Sequence, residues 1–311
     1  MKVFRSISEV DIKNTIASIG FFDGVHVGHT QIVRRIVAKA KAENCSSLVI
    51  TFWPHPRFVL GNDNNDLKLL SSLPEKIEII EKEGVDAMLI LEFNSNLIAQ
   101  TAKEFIDKIL VKTLNVKHII VGYNHNFGRN GEGNFSLLAE MEVEGNYSAE
   151  QVDPIAVEGI KVSSSKIRSA LERGNIKMAN LLLGRFYSIK GTIHGGEQIG
   201  RSIGYPTANI TLSELRKQIP GYGVYAVWVD CRGKSYPAML NIGVKPTMGY
   251  NLNRTIEAHI IGFNQNIYNE EITVKFVEKI REEMRFPSLE MLKCQLEIDR
   301  NQALSLLNGL K

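Results

Sequence analysis

Cysteine is scarce in this chain: Cys45, Cys231 and Cys294 are the only three in 311 residues. An odd number, spaced far apart, excludes a disulfide framework and a cysteine-rich zinc site, and it suits a reducing cytoplasm. Apolar runs of membrane-spanning length are missing. So is the apolar core behind the N-terminal lysine that would mark a signal peptide. Lysine and arginine form no long run, and 37 of them against 34 acidic residues leave a net charge of only +3. That excludes a nucleic-acid-binding tail. No Gly-x-x-x-x-Gly-Lys-(Ser/Thr) loop, internal repeat or low-complexity tract occurs. These absences leave a cytoplasmic protein whose partners are small molecules rather than nucleic acid or membrane. Nothing fixes an oligomeric state. With 44% hydrophobic and 23% charged residues, the chain can bury a core, and its length suits one large or two medium domains.

Two grammars divide the chain. From residue 15 to about 183, strand-like and helix-like segments alternate. Thr15–Ile19, Ser47–Phe52, Ala87–Leu91 and Lys117–Gly122 read as strands, while Pro74–Glu83 and Thr101–Leu110 read as helices. Such alternation predicts an α/β domain with a parallel sheet, whose ligands bind at the carboxyl ends of the strands. From about 184 onward come short strands separated by Gly, Pro and Asn: Tyr187–Gly191, Val224–Val229, Ala238–Ile242 and Ile272–Phe276. These predict a small β-barrel. An amphipathic helix carrying Leu289, Leu292, Leu296 and Ala303 closes the chain. The predicted domains are 1–183 and 184–311, with the boundary in Leu183-Gly184-Arg185-Phe186.

The densest chemistry lies in Gly20-Phe21-Phe22-Asp23-Gly24-Val25-His26-Val27-Gly28-His29. Here a predicted strand turns into a helix whose apolar stripe is Ile32, Val33, Ile36, Val37 and Ala40. Free backbone N–H groups at a helix N-terminus attract anions, and two imidazoles can add donors. Either histidine alone would read as structural. Zinc is disfavoured, because no third and fourth ligand stand at usable spacing. Charge building on phosphate oxygens during attack at an α-phosphorus is what such donors would stabilise. Ser163-Ser164-Ser165-Lys166-Ile167-Arg168 could merely cap a helix, or could cradle terminal phosphates. Two further polar loops, Pro54-His55-Pro56 and 122–133, fall at strand ends. The second, rich in glycine and asparagine, is expected to be mobile, as are the turns around Gly249.

Together these residues resemble the nucleotidylyltransferases, and the Phe-Asp-Gly-Val variant is similar to the bacterial bifunctional riboflavin kinase/FAD synthetases. Gly122-Tyr123-Asn124-His125-Asn126-Phe127-Gly128 and Thr51-Phe52-Trp53-Pro54-His55-Pro56 continue the resemblance. It implies a Rossmann-like N-terminal domain that makes FAD and pyrophosphate from FMN and ATP. His26, His29 and Asn124 would then be catalytic. Gly20, Phe21, Asp23, Gly24, Gly28, Ser164, Ser165 and Arg168 would bind ATP. Pro54, His55 and Pro56 would meet the flavin. Ser165 stands where the family has threonine, and keeps the hydroxyl.

In the second half, Gly200-Arg201-Ser202-Ile203-Gly204-Tyr205-Pro206-Thr207-Ala208-Asn209 could be just a barrel corner. The letters of Gly221-Tyr222-Gly223-Val224-Tyr225-Ala226 match a dinucleotide fingerprint, but they run into a strand and not a helix, so that reading fails. The first segment resembles the riboflavin kinase signature, and Asn241–Thr247 and Glu257–Ile260 follow in the family's order. By that resemblance Glu257 is the base for the ribityl hydroxyl, and Gly200, Arg201, Gly204 and Pro206 bind ATP. Thr207 and Asn209 would hold Mg²⁺, and Arg281 and Glu283 would meet the flavin. Glu197-Gln198 stands where kinase members carry basic residues. The implied ligands are riboflavin, FMN, FAD and ATP. A single-activity adenylyltransferase with a flavin-binding barrel, and a non-catalytic flavin sensor, remain as alternatives.

Overall fold

The computed structural model describes residues 1–59, 67–195, 203–246 and 252–309. By packing, the chain forms two compact units, Met1–Ser164 and Ser165–Lys311.

In the first unit, β1 (Lys2–Phe4), β2 (Thr15–Ile19), β3 (Ser46–Trp53), β4 (Ala87–Glu92), β5 (Val116–Gly122) and β6 (Ser148–Val152) form one sheet. Their spatial order is β1-β4-β3-β2-β5-β6, and every pairing is parallel. Parallel strands need crossovers that cover both faces, so their residues are apolar on both sides. β2 is buried at all five positions. Alternation along the strands sorts side chains into two cores: Ala17, Ile19, Leu48 and Ile50 enter one, Ile16, Val49 and Met88 the other. Helix α1 (Val27–Glu43) seals the second core with Ile32, Val33, Ile36, Val37 and Ala40, the stripe expected from the sequence. Helix α2 (Leu73–Lys82) opens with a Ser72–Glu75 capping box and a proline in its first turn. The helix expected from Thr101 is present as Ala102–Phe105, which runs into a π-helical stretch, Ile106–Thr113. A small hairpin, β7 (Ala156–Val157) and β8 (Ile160–Lys161), follows the sheet. Because β3, β2 and β5 are neighbours and parallel, the loops after them leave one edge of the sheet, where chain direction diverges.

The second unit opens with α3 (Ser164–Glu172), whose first residue ends the first unit, and α4 (Ile176–Leu183). A closed barrel follows: β9 (Tyr187–His194), β10 (Ala208–Leu212), β11 (Gly223–Cys231), β12 (Lys234–Pro246), β13 (Leu252–Ile260) and β14 (Glu271–Arg281). Its order is β10-β13-β12-β11-β14-β9, antiparallel throughout. Helix α4 is tied to it by Asn180, which donates to the Phe276 carbonyl at 2.9 Å and accepts from the Tyr187 N–H at 2.7 Å. Tyr225 and Phe276 fill the barrel interior. Helix α5 (Leu289–Asn308) lies on the outside of β11, β12 and β14.

Candidate active sites

The first unit's site is built on the start of α1. His26 is the N-cap, and its Nδ1 accepts from the His29 N–H at 3.3 Å. That bond leaves Nε2 to carry the proton of the neutral ring. The two imidazoles stack at 3.7 Å with 12° between planes, and Phe22 meets His29 edge-on at 5.3 Å. Gly28 permits this arrangement, since a Cβ there would stand 3.3 Å from Cε1 and Nδ1 of His26.

The turn before the helix is strained. Phe22, Gly24 and Val25 have φ of 47°, 75° and 37°, a region that β-branched valine enters at a cost. Its neighbours hold it in place. Asp23 Oδ1 accepts from the N–H groups of Leu70 (3.0 Å) and Ser71 (3.3 Å). Ser71 Oγ accepts from the Gly24 N–H at 3.0 Å, and Ser164 Oγ donates to the Asp23 carbonyl at 3.0 Å. Ser164 therefore does join the double-histidine turn, whereas Asp23 is buried and spends Oδ1 on the turn's own scaffold. Gly20 ends β2 by donating to the Ile50 carbonyl at 3.0 Å.

Beneath the turn lies a residue that motif reasoning missed. Lys76 on α2 is buried, and its Nζ donates to the Phe21 carbonyl at 2.6 Å and lies 3.5 Å from Thr51 Oγ1. Burial pushes this ammonium down to about 8, with Asp23 pulling the other way. A signal was present: Leu73, Lys76 and Ile80 share one buried helix stripe, and a lysine there needs a reason.

After β3, His55 joins an aromatic group with Phe21 (5.2 Å) and Phe58 (5.7 Å), and Phe21 also meets Phe52 and Phe93. Pro54 is half-buried and Pro56 buried beside it. In the 122–133 loop, Asn124 is exposed. His125 stacks on Phe127 at 5.6 Å, and burial pushes its imidazole down to about 4, so it is neutral at pH 7. The loop is stapled where its composition predicts mobility. Phe127 and Gly133 exchange both backbone hydrogen bonds, at 3.0 and 2.9 Å, and Glu132 accepts from the Ala102 N–H at 2.9 Å. At Gly128, φ is 74° and a Cβ would fall 2.6 Å from the Ala102 backbone, which enforces glycine.

The second unit begins with the rest of the serine motif: Ser165 is exposed and Arg168 half-buried in the first turns of α3. Its own site is organised by strand register. Arg281 lies opposite Val224, Val224 opposite Asn241, Asn241 opposite Glu257, Glu257 opposite Asn209, and Asn209 opposite His194. Direct cross-strand partners share a face of the sheet. The register thus gathers into one belt residues up to 87 positions apart, from His194 to Arg281.

Two cavities flank this belt. The first, about 280 Å³, lies between the barrel wall and α5, and includes Val224, Asn241, Glu257, Arg281, Glu283 and Asp299 in its lining. Arg281 is fixed there by the fully buried Asp299, to which Nε (2.9 Å) and Nη2 (2.7 Å) donate, and Gln295 donates to the same carboxylate at 2.9 Å. Glu283 accepts from the Val244 N–H at 3.4 Å, and a Cβ at 243 would come within 2.3 Å of the Glu283 carboxylate and displace that side chain. The second cavity, about 460 Å³, is lined by Ile193, Pro206, Thr207, Ala208, Ala258 and Ile260 together with the loop 263–268. No sequence motif marks that loop. Thr207 lines both cavities, and its hydroxyl is 3.5 Å from Glu257 Oε2. The Pro206 carbonyl accepts from Nδ1 of His259 at 2.9 Å, and burial lowers that imidazole's pKa. Gly204 supplies a φ of 89° just upstream. Asn209 is half-buried on the belt but lines neither cavity. Gly200, Arg201, Glu197, Gln198, Thr247 and the turns around Gly249 lie outside the described residues.

Comparison with known proteins agrees with this division. The FAD synthetase family matches residues 8–166, and the riboflavin kinase family residues 183–307. A "Bifunctional riboflavin kinase/FMN adenylyltransferase" of Bacillus subtilis is 34% identical over 307 residues, spanning 98% of this chain and 96% of its own length. A namesake from Escherichia coli K12 is 35% identical over 304 residues, 96% of each chain. A crystal structure titled "Macrolide-efflux Protein" from Streptococcus pneumoniae superposes with a TM-score of 0.87 at 30% identity, covering 96% of this chain and 97% of that one. Among the described residues here, no helix is long and apolar enough to cross a membrane.

Proposed function

We infer the work of each domain from one premise: the chain belongs to the bifunctional riboflavin kinase/FMN adenylyltransferase family. It phosphorylates riboflavin to FMN with ATP, then adenylylates FMN to FAD with release of pyrophosphate. Matches to both families favour two activities over a single-activity enzyme or a sensor.

The observation that carries the kinase assignment is Thr207, which lines both cavities with Glu257 beside it. The largely apolar cavity against α5 suits riboflavin, and the cavity walled by the 263–268 loop suits ATP. The ribityl 5′-hydroxyl attacks the γ-phosphorus; the new O–P bond forms, the bond to the β,γ-bridging oxygen breaks, and ADP leaves. Glu257 accepts the hydroxyl proton. Phosphoryl transfer needs positioning and charge neutralisation more than covalent help. Arg281, fixed by Asp299, and Glu283 border the flavin.

The resemblance adds a magnesium ion to this site. The donors fit: a threonine hydroxyl and an asparagine carbonyl, at Thr207 and Asn209, are hard oxygens on either side of Glu257. When bound, the ion would neutralise phosphate charge.

In the first unit, the N-terminus of α1 and Nε2 of His26, with His29, stabilise charge at the α-phosphorus as an FMN phosphate oxygen attacks and pyrophosphate departs. The aromatic group around Phe21 and His55 offers flat apolar surface for the flavin ring, and Asn124 is exposed in the 122–133 loop. The resemblance also assigns Ser164, Ser165 and Arg168 to phosphate contacts. The FAD synthetase match ends at 166 and the riboflavin kinase match begins at 183, and a functional boundary at 183/184 remains the reading of the sequence, with α4 bonded to the barrel. The three free cysteines support residence in the cytoplasm.

A time course with riboflavin, ATP and Mg²⁺, resolved by chromatography, tests the scheme. FMN rising before FAD is expected. FAD from supplied FMN without any FMN from riboflavin would overturn the kinase assignment.

A further inference from the structure

The hairpin between β11 and β12 turns on Arg232-Gly233, with φ of 51° and 73° at the two central residues. Two left-handed residues in a two-residue loop make a type I′ turn, for which Asn-Gly is the favoured pair. Arginine at its first position works against local preference, and such conflicts gather where a side chain has another task.

The guanidinium spans a loop. Nη1 donates to Gln265 Oε1 at 2.8 Å, Nη2 to the Asn266 carbonyl at 2.9 Å, and Nε to both Glu270 oxygens at 3.0 and 2.9 Å. The loop has fixed ends. Ile261 N–H donates to the Pro237 carbonyl at 2.8 Å. At the far end, Asn269 N–H donates to the Ile193 carbonyl at 2.8 Å, and Ile193 N–H to the Glu270 carbonyl at 3.1 Å. Between those ends Phe263 rests edge-on against Tyr236 at 4.9 Å, and Arg232 grips Gln265 and Asn266. Residues 263–268 are one wall of the 460 Å³ cavity.

We propose that Arg232 is a positioning residue for riboflavin phosphorylation: by fixing the 263–268 loop it sets the affinity of the barrel's larger cavity for ATP. This rests on the reading of that cavity as the nucleotide site. The Arg232 side chain is 48% exposed, and exposed ion pairs add little global stability. Its effect is therefore local, on the fraction of molecules whose cavity wall is formed. Apparent affinity falls in proportion to that fraction.

The full-length Arg232→Asn enzyme separates positioning from structure, because Asn-Gly suits the turn and keeps the hairpin. The KM for ATP in FMN formation should rise on the order of tenfold. The KM for riboflavin should stay within about twofold, and the thermal midpoint should hold or rise. FAD formation from supplied FMN should be unaffected. Arg232→Lys, with a point charge in place of a fork, should fall between. An unchanged ATP KM overturns the proposal. So does a joint rise of both KM values with a lowered midpoint, which would mark a merely structural role. Ala208→Leu, which projects into the same cavity, identifies the failed premise. If it leaves the ATP KM unchanged, the cavity is not the nucleotide site. If it raises that KM while Arg232→Asn does not, the cavity stands and the positioning role falls.

Discussion

The two domains act on the same nucleotide through opposite constructions. The site proposed for the sheet domain centres on ten consecutive residues, 20–29, where one strained turn delivers a helix N-terminus and a stacked histidine pair. The site proposed for the barrel is spread along a belt of strand register, with Thr207, Glu257 and Arg281 arriving from three different strands or their approaches. On that proposal, backbone N–H groups serve the first site, and side chains that only register can assemble serve the second. The difference has a physical root. Stabilising a multiply charged phosphate at a helix start needs fixed dipoles, whereas activating a neutral hydroxyl needs one base at one distance.

The sharpest way to break this comparison is to remove the proposed base. Glu257→Gln keeps the shape and loses the proton acceptor, so FMN formation should fall about 10²- to 10⁴-fold. FAD formation from supplied FMN should persist at the parent rate. Parallel loss of both activities by a folded protein would mean that the two sites are not separate. The reciprocal change, His29→Ala, removes one of the donors proposed to act at the α-phosphorus and should lower FAD formation about 10²- to 10³-fold, with FMN formation retained. Steady-state rates of each step, measured on each purified variant, decide both.

The same contrast explains what is legible in the sequence. The sheet's inner strands, the α1 stripe and the double-histidine turn can be read because their determinants are contiguous. The edge strands β1 and β6 cannot: β1 has three residues, and Ser148–Val152 is nowhere fully buried, so no apolar pattern marks them. In the barrel, Glu257 and Thr207 emerge through resemblance, but Asn241's place beside Glu257 and the 263–268 cavity wall are products of pairing, which no local pattern encodes. Lys76 escapes notice because a lysine in a capped helix reads as solvated until its stripe is counted. Glycines in the 122–133 loop predict movement, yet Gly128 is there for close approach to Ala102.

Lys76 tests how far the sheet domain's local site depends on distant support. Folded, its ammonium releases the proton near 8; in the unfolded chain it does so near 10.5. Between those values the unfolded chain binds more protons, so this residue's contribution to stability rises with pH. At about 1.4 kcal/mol per pH unit, the penalty below about pH 8 is on the order of 3 kcal/mol, and it disappears by the upper end of the window. Denaturant unfolding of the parent and of Lys76→Met across that window should therefore show the parent gaining on the variant as pH rises. A constant difference would mean that the buried ammonium titrates no differently when folded. Lys76→Met should also slow FAD formation, since the Phe21 carbonyl loses its donor, and leave FMN formation alone.

The smallest change aims at the histidine pair itself. Gly28 sits in the first turn of α1 with no need for a left-handed backbone, so alanine there should favour the helix by roughly 0.5–1 kcal/mol. Its Cβ, however, would stand 3.3 Å from the His26 ring, closer than ordinary contact, and the ring must yield by a few tenths of an ångström. Misplacement of about 1 Å can cost about 10²-fold in rate, so a shift of this size should cost several-fold. Gly28→Ala should therefore give a protein as stable as the parent or more so, with FAD formation lowered several-fold and FMN formation unchanged. If FAD formation holds while stability rises, the stacking of His26 on the helix start is tolerant, and the first site depends on its backbone N–H groups more than on the alignment of its imidazoles.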